Sequence, residues 1–460
     1  MNRVGLIAYW YPPRQAAGSL RAAALARYLP AFGWEPVVVT VRPRTSLHLP
    51  EGAGLASGRD PANEHAPAPA PALATADRAW HALAAGAVEA VRGRAALETL
   101  KTEHVLACRR PHARAAHWVY RQWLSFPDDA WPWLVDRRSV ARVFAAHGVQ
   151  AVISTAPPPT AHLVAAAASR RLGVPWIADY RDPWSQRSAW RRAWPLAGVE
   201  ARLEQRTLRR AAHVVTVSAP LAEGLRRLLD RPVSVVPNGF DPADRDVLVT
   251  DPVPIASDRF TLVHTGTLTH GSRDPGLVFA ALDALVARGA VAIDALEVWF
   301  IGRHVEVARR AAAAWPALAP ALRYAGSVPR AAALDAQRRA TVLLALGSPA
   351  AAYDGDVPTK VFEYLDAGRP VLAIASPASA LAALLAETRG GRIAGDAATV
   401  EAALLDWLGA WRIERRVPSG SDPDAIARYE RRRLTGEFAR VLDGVTGAAR
   451  RGDRAETGSD

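Results

Sequence analysis

Short runs of apolar residues alternate with stretches of helical spacing through most of this chain. Val4–Trp10 is continuously apolar, Ser19–Ala31 places its apolar residues at helical intervals, and Pro36–Val41 is β-branched. The same kind of run returns at Ala151–Thr155, Trp176–Tyr180, His213–Val217 and Val233–Val236. A second series follows at Phe260–Thr265, Leu296–Ile301, Thr341–Leu346 and Pro370–Ala375. Continuous rather than alternating apolar strands are those buried on both faces, as in a parallel sheet covered by helices. Two series predict an α/β protein of two doubly wound, Rossmann-like domains, joined near Asn238–Arg259, where Pro and Asp cluster.

On this reading residues 1–240 form the first domain and 255–423 the second. Residues 424–446 read as a C-terminal helix that returns to the first domain, and 447–460 as a polar, disordered tail. One stretch, 45–146, interrupts the first series. It opens with an Ala-Pro tract within Pro50–Ala74, expected as a surface loop. From Ala76 to Ala146 the pattern is helical, which predicts a helical insertion ending in the aromatic cluster Trp131, Trp133 and Phe144.

Length and charge narrow the picture. At 460 residues the chain exceeds what one hydrophobic core usually supports. No run of 18 apolar residues suggests a transmembrane helix, and the first apolar run, stopped by Pro12–Pro13, reads as a strand rather than a leader. Cys108 is the only cysteine, so no intrachain disulfide or cysteine-based metal site is available, and the cytoplasm is the expected compartment. The net charge of +12 favours anionic partners. No nucleic-acid motif accompanies it, so a nucleic-acid partner is not expected. Only Lys101 and Lys360 are lysines; Arg supplies the other 55 of the 57 basic residues.

Ligands of open parallel sheets bind beyond the carboxyl ends of the strands, which directs attention to the loops there. The first loop, Tyr11–Arg21, carries Gly18 and Ser19 at a helix start. A helix start of this kind either holds an anion on its backbone N–H groups or is an ordinary capped turn. The strand Trp176–Tyr180 runs into Arg181 and Asp182. Those charges either line a cleft or form an ion pair, Arg181 with Asp179 or Asp182. In the second series, Gly266, Thr267 and Arg273 follow a strand, and a permanently charged Arg suits a diphosphate. Finally, Thr359, Lys360 and Glu363 open a helix that ends near Gly368. Lys360 and Glu363 fall on one helix face, where the plain alternative is an i,i+3 salt bridge.

Taken in order, these segments resemble the retaining glycosyltransferases of family four, over roughly Met1–Arg440. The matching segments are Tyr11–Arg21, Ser154–Pro158, Arg181–Asp182, Pro237–Gly239, Gly266–Arg273 and Lys360–Tyr364. The resemblance implies the GT-B fold, with the two domains facing each other across a cleft, and sugar transfer from a nucleotide-diphosphate donor. It implies Arg273 and Lys360 as the catalytic cations on the leaving diphosphate. Gly18, Gly266, Thr267, Thr359 and Glu363 would bind the donor, Glu363 through the ribose hydroxyls. Arg181 and Asp182 would lie near the sugar or acceptor. No metal and no cofactor are implied, the nucleotide sugar being a co-substrate.

Two positions depart from the family pattern. Arg181 stands where many relatives carry a His, which removes a proton-transferring group there. Gly355 stands at the first Glu of the family's E-x7-E motif, with Asp354 and Asp356 beside it. A non-catalytic nucleotide-sugar-binding protein of the same fold is therefore the competing expectation. The interleaved Trp and Arg of Arg109–Trp123 and Trp184–Trp194 suggest an anionic membrane surface, reached peripherally from the inner face, and a lipid-linked acceptor.

Overall fold

The computed structural model describes residues 1–12, 17–41, 88–91 (backbone only), 118–186, 192–269 and 273–447. The described residues fall into two compact units, one of 1–186, 192–215 and 438–447, the other of 216–437. The Ala-Pro tract and the residues after Gly447 lie outside the described residues, as does most of Arg109–Trp123.

In chain order the first sheet uses β1 (Asn2–Ala8), β2 (Trp34–Val41), β3 (Val88–Val91), β4 (Ala151–Ala156), β5 (Trp176–Tyr180), β6 (His213–Thr216) and β7 (Ser234–Val235). Its helices are α1 (Ala17–Tyr28), α2 (Arg137–Ala146), α3 (Thr160–Leu172), α4 (Leu196–Leu208) and α5 (Ala219–Leu229). The strand order is β3-β2-β1-β4-β5-β6-β7, with parallel registers from β3 through β5. Asp128 starts α3 from a distance, accepting from Thr160 N at 2.6 Å and so satisfying an otherwise unpaired first-turn donor.

The insertion departs from the sequence expectation. Within the stretch read as helical, Val88–Val91 is the edge strand β3, paired with Val38–Val41. A Val-Glu-Ala-Val segment has a β-branched residue at each end, which suits a sheet edge. Among the described residues of Ala76–Ala146, the regular α-helix is α2; Tyr120–Leu124 and Trp131–Asp136 are single π and 3-10 turns.

The second sheet comprises β8 (Phe260–Thr265), β9 (Leu296–Ile301), β10 (Leu322–Gly326), β11 (Val342–Leu346), β12 (Val371–Ile374) and β13 (Gly391–Ala394). The helices around it are α6 (Gly276–Ala287), α7 (Glu306–Ala312), α8 (Arg330–Arg339), α9 (Thr359–Asp366), α10 (Ala380–Thr388), α11 (Ala397–Glu414) and α12 (Pro423–Ala427), and α13 (Arg431–Thr446) begins in this unit and ends in the first. The order is β10-β9-β8-β11-β12-β13, parallel throughout. Successive residues of β8 enter opposite cores: Phe260 and Leu262 pack with Phe279 and Phe300, Val263 with Leu343 and Tyr364. That double burial explains the continuous apolar runs. A fully buried side chain such as Phe279 contributes about 1.5–3 kcal/mol.

Both sheets reverse direction beside their first strand, between β1 and β4 and between β8 and β11. The carboxyl ends of those pairs are where a doubly wound sheet opens a crevice.

Candidate functional site

In the second unit, Thr265 ends β8 and is held by two buried side chains. Its N–H donates to Tyr364 Oη at 2.9 Å, and Gln337 Nε2 donates to its Oγ1 at 2.9 Å. Gly266 then takes φ +109°, a conformation L side chains rarely adopt, while Lys360 passes 3.4 Å from where a Cβ would sit. Thr267 lends its carbonyl to Arg273 Nη1 at 3.3 Å, and Arg273 N donates to Thr269 O. Residues 270–272 of this loop lie outside the described residues.

Helix α9 begins after Pro358, which has extended ψ, so Thr359 and Lys360 occupy its first turn. The Lys360 ammonium donates to Thr265 O at 2.8 Å and lies 3.0 Å from His264 Nε2. The other ring nitrogen of His264, Nδ1, lies 2.9 Å from Leu344 O. A carbonyl can only accept, so Nδ1 carries the proton, and the Lys360 nitrogen, 3.5 Å from Nδ1 as well, lies over the face of the ring. Burial, reinforced by Lys360 and Arg273, pushes the His264 pKa well down despite the Leu344 bond, so this imidazole stays neutral. Lys360 is itself lowered well below its ordinary value, first by desolvation and then by Arg273, with Glu363 opposing.

Glu363 does not pair with Lys360. Its Oε1 accepts from Arg330 Nη1 at 2.7 Å, and Arg330 Nη2 reaches Asp244 Oδ2 at 2.6 Å. Burial works against the Arg330 charge, but the two carboxylates outweigh it and raise its pKa. The i,i+3 bridge weighed from sequence is thus replaced by a contact 33 residues away. Lys360 and Arg273 form no ion pair with a carboxylate among the described residues. Gly355 accepts from Ser218 Oγ at 2.8 Å through its carbonyl, and a Cβ there would meet Leu221 at 3.2 Å. No group of three or more His, Cys, Asp or Glu among the described residues gathers in a way that could hold a metal.

In the first unit, Gly18 and Arg181 come together. A Cβ on Gly18 would lie 2.8 Å from Arg181 Nη2, so the guanidinium rests against the bare backbone at the start of α1. Arg181 Nε donates to Ala156 O at 3.0 Å, and burial lowers its pKa against the pull of Asp182 and Asp179. Asp182 itself is exposed. Asp179 is taken instead by Arg21, through Nε to Oδ2 and Nη2 to Oδ1, both at 2.9 Å. Nearby, Ser154 Oγ accepts from Trp176 Nε1 at 2.8 Å and is hydrogen-bonded to His162 Nδ1 at 2.7 Å. Burial lowers the His162 pKa to about 4, and its Nε2 has no hydrogen-bond partner.

Sequence reasoning assigned no role to His264, Arg330 or Arg21. His264 left one signal, a titratable residue inside an otherwise apolar and β-branched strand. Arg330 left none, because it is one Arg among 55.

The comparisons with known proteins agree with this geometry. Residues 94–244 match the family model Glycosyltransferase Family 4. No curated protein matches the sequence. Among solved structures, HepE of Anabaena in complex with UDP and glucose is similar at 13% identity and TM-score 0.59, covering 96% of this chain and 100% of that one. A glycosyltransferase of Rickettsia africae is similar at 11% identity and TM-score 0.58, over 96% and 98%. WaaG, a glycosyltransferase involved in lipopolysaccharide biosynthesis, follows at 13% and 0.51, over 96% and 100%. At such identities the likeness shows the fold. Residues 94–244 thus match the Glycosyltransferase Family 4 model, and the described residues have the GT-B fold of the solved neighbours.

Proposed function

We propose that this protein transfers a sugar from a nucleotide-diphosphate donor, with retention and without a metal ion, using Lys360 and Arg273 as the cations on the leaving diphosphate. One observation carries the reading: two cations share a strand-end loop of the second sheet, and their bonds go to carbonyls and a neutral imidazole rather than to carboxylates. Positioned charge of this kind stabilises a leaving group as it develops negative charge. Gly266, Thr267 and Thr359 supply backbone and hydroxyl groups beside it, and Glu363 accepts from the donor's ribose. In the first unit, Gly18 and Arg181 meet the donor or acceptor, with Asp182 at the rim. The solved structures of HepE with UDP support a uridine diphosphate sugar as the first donor to try. A thermal-shift screen of nucleoside diphosphates reads binding directly, since ligand at 100 times its Kd stabilises by about 2.7 kcal/mol. Activity abolished by EDTA and restored by magnesium or manganese refutes the metal-free part.

The acceptor is lipid-linked, as for a surface polysaccharide or glycolipid, and the first unit approaches an anionic membrane. Support comes from exposed tryptophans: Trp118, Trp123 and Trp194 are 53%, 57% and 89% exposed. Arg192 holds the last two near one another by donating to Gln122 O at 2.8 Å and Ser125 O at 2.7 Å. On α4, Glu200 and Glu204 are buried, which leaves Val199, Arg202 and Arg206 as its exposed face. Exposed amphipathic rings and exposed cationic side chains on one unit suit anionic head groups. Co-sedimentation with anionic liposomes at low salt tests this, and no binding sinks it.

A second reading, a donor-binding protein without transferase activity, is favoured by Gly355 in place of the acidic residue. Donor hydrolysis by the purified protein excludes it.

A further inference from the structure

We propose that Arg330 is a positioning residue for Glu363: it holds one oxygen of that carboxylate and leaves the other to select ribose over deoxyribose. The inference rests on the reading of Glu363 as the acceptor of the donor's ribose hydroxyls, and it concerns how that carboxylate is aimed.

Arg330 is the first residue of α8, after Pro329, and no acidic residue lies in that first turn. A helix start favours negative charge, so a largely buried cation there is opposed by the dipole as well as by desolvation. Two carboxylates offset both costs. Arg330 Nη1 donates to Glu363 Oε1 at 2.7 Å, and Nη2 donates to Asp244 Oδ2 at 2.6 Å. Each end of the planar guanidinium is thus anchored on a different element, a geometry that a lysine ammonium does not reproduce.

Asp244 is itself held in place. It sits in the 3-10 turn Pro242–Asp246, which Asp241 caps by accepting from Ala243 N at 3.1 Å. The same turn reaches α9 a second time, where Arg245 Nε donates to Asp366 Oδ1 at 3.0 Å. Glu363 and Asp366 lie at i and i+3, so they share one face of α9. The turn therefore holds the helix through Asp366 and the Glu363 side chain through Arg330. Arg431 lies 4.0 Å from Asp244, so Asp244 keeps a nearby cation even when Arg330 is replaced.

Glu363 is a rotamer-rich side chain, and it remains 9% exposed. Its Oε1 accepts from Arg330, while Oε2 makes no hydrogen bond among the described residues. The first contact fixes where the carboxylate sits; the second oxygen keeps its lone pairs for a hydroxyl. Ordering the side chain before the ligand arrives removes that cost from binding. A carboxylate gripped at both oxygens would be as rigid but would have less capacity left to accept.

Calorimetry with UDP, 2′-deoxy-UDP and 3′-deoxy-UDP tests this. The wild type should bind UDP about ten-fold or more tighter than the weaker deoxy analogue, as for a hydroxyl bonded to a charged acceptor. In Arg330→Gln that preference should fall to about two-fold or less, because the carboxylate is no longer aimed. Arg330→Lys keeps the charge and loses the two-ended fork, so the preference should fall while affinity for the deoxy analogues stays near wild type. Asp244→Asn loosens only the outer anchor and should give an intermediate preference, which decides the matter if Arg330→Gln does not fold. A folded Arg330→Gln variant that binds all three nucleotides more weakly with its preference intact overturns the proposal. So does a wild-type preference in both Arg330→Lys and Asp244→Asn. If Glu363→Gln keeps the wild-type preference, the ribose reading fails and the proposal falls with it. If Glu363→Gln loses the preference and Arg330→Gln keeps it, the ribose reading stands and the role of Arg330 is refuted.

Discussion

The two sheets present cations at the same topological place, and they treat those cations differently. In the first, Arg21 is locked onto buried Asp179 in a two-point pair, and Arg181 leans on a carbonyl between Asp179 and Asp182. In the second, Lys360 and Arg273 have carbonyls and a neutral ring as partners. Compensated charge at a buried strand end holds a loop in register. Uncompensated charge leaves a positive potential that an anion can satisfy. Even within α9 the distinction holds, because Glu363 has Arg330 while Lys360, one turn earlier, pairs with no carboxylate. Fold position alone therefore does not identify a site; the balance of charge around it does.

The comparison breaks most visibly at Asp179. Asp179→Asn removes the carboxylate that buried Arg21 grips at two points and should cost about 3–5 kcal/mol of stability. Denaturant unfolding measures the loss, and UDP affinity of the folded protein should stay near wild type. A loss under about 1 kcal/mol would mean that the pair is not structural. In the second unit the expectation reverses. Lys360→Ala or Arg273→Ala should each lower donor turnover by about 10²–10³ with little change in Tm. Equal effects on Tm in both units would erase the distinction.

Glu363 sharpens the contrast because it has a protein partner and a proposed ligand. Glu363→Gln should raise the donor KM about ten-fold or more and leave kcat much less affected, through loss of charge-assisted bonds worth about 1.5–3 kcal/mol. A collapsed kcat at unchanged KM would mean that the carboxylate moves a proton. A lower Tm with normal kinetics would reduce Glu363 to a partner of Arg330.

His162 gives the first unit a pH signature. Its pKa falls from 6.5 to about 4 in the folded chain, so the unfolded chain takes up a proton first as pH drops. Stability is therefore full above pH 6.5 and is lost as pH falls from about 6.5 to about 4, by about 2 kcal/mol at pH 5. His162→Gln should flatten the melting curve over that window, and an unchanged pH dependence counts against the assignment. The smallest effect belongs to Gly18→Ala. The new methyl pushes only the end of a flexible guanidinium, for a cost of about 1 kcal/mol. If UDP affinity falls as well, the Gly18 backbone does touch the donor.

The sequence by itself determined which segments are strands where those strands are buried on both faces. Phe260–Thr265 and Trp176–Tyr180 could be read to the residue because a central parallel strand must be apolar throughout. It also marked the strand-end loops and the isolated Lys360, which composition does not explain. Three strands escaped it, β3, β10 and β13, and all three lie at sheet edges. There one side is open, and segments such as Leu-Arg-Tyr-Ala-Gly and Gly-Arg-Ile-Ala keep polar residues and lose the apolar signature. Only the tertiary structure decided which charge meets which partner. Asp179 finds Arg21 across 158 residues, Lys360 finds His264 across 96, and Glu363 finds Arg330 across 33. Hydrophobic periodicity is a local property that each segment carries with it. Compensation of a charge depends on a through-space neighbour, and that neighbour exists only once the sheets have formed.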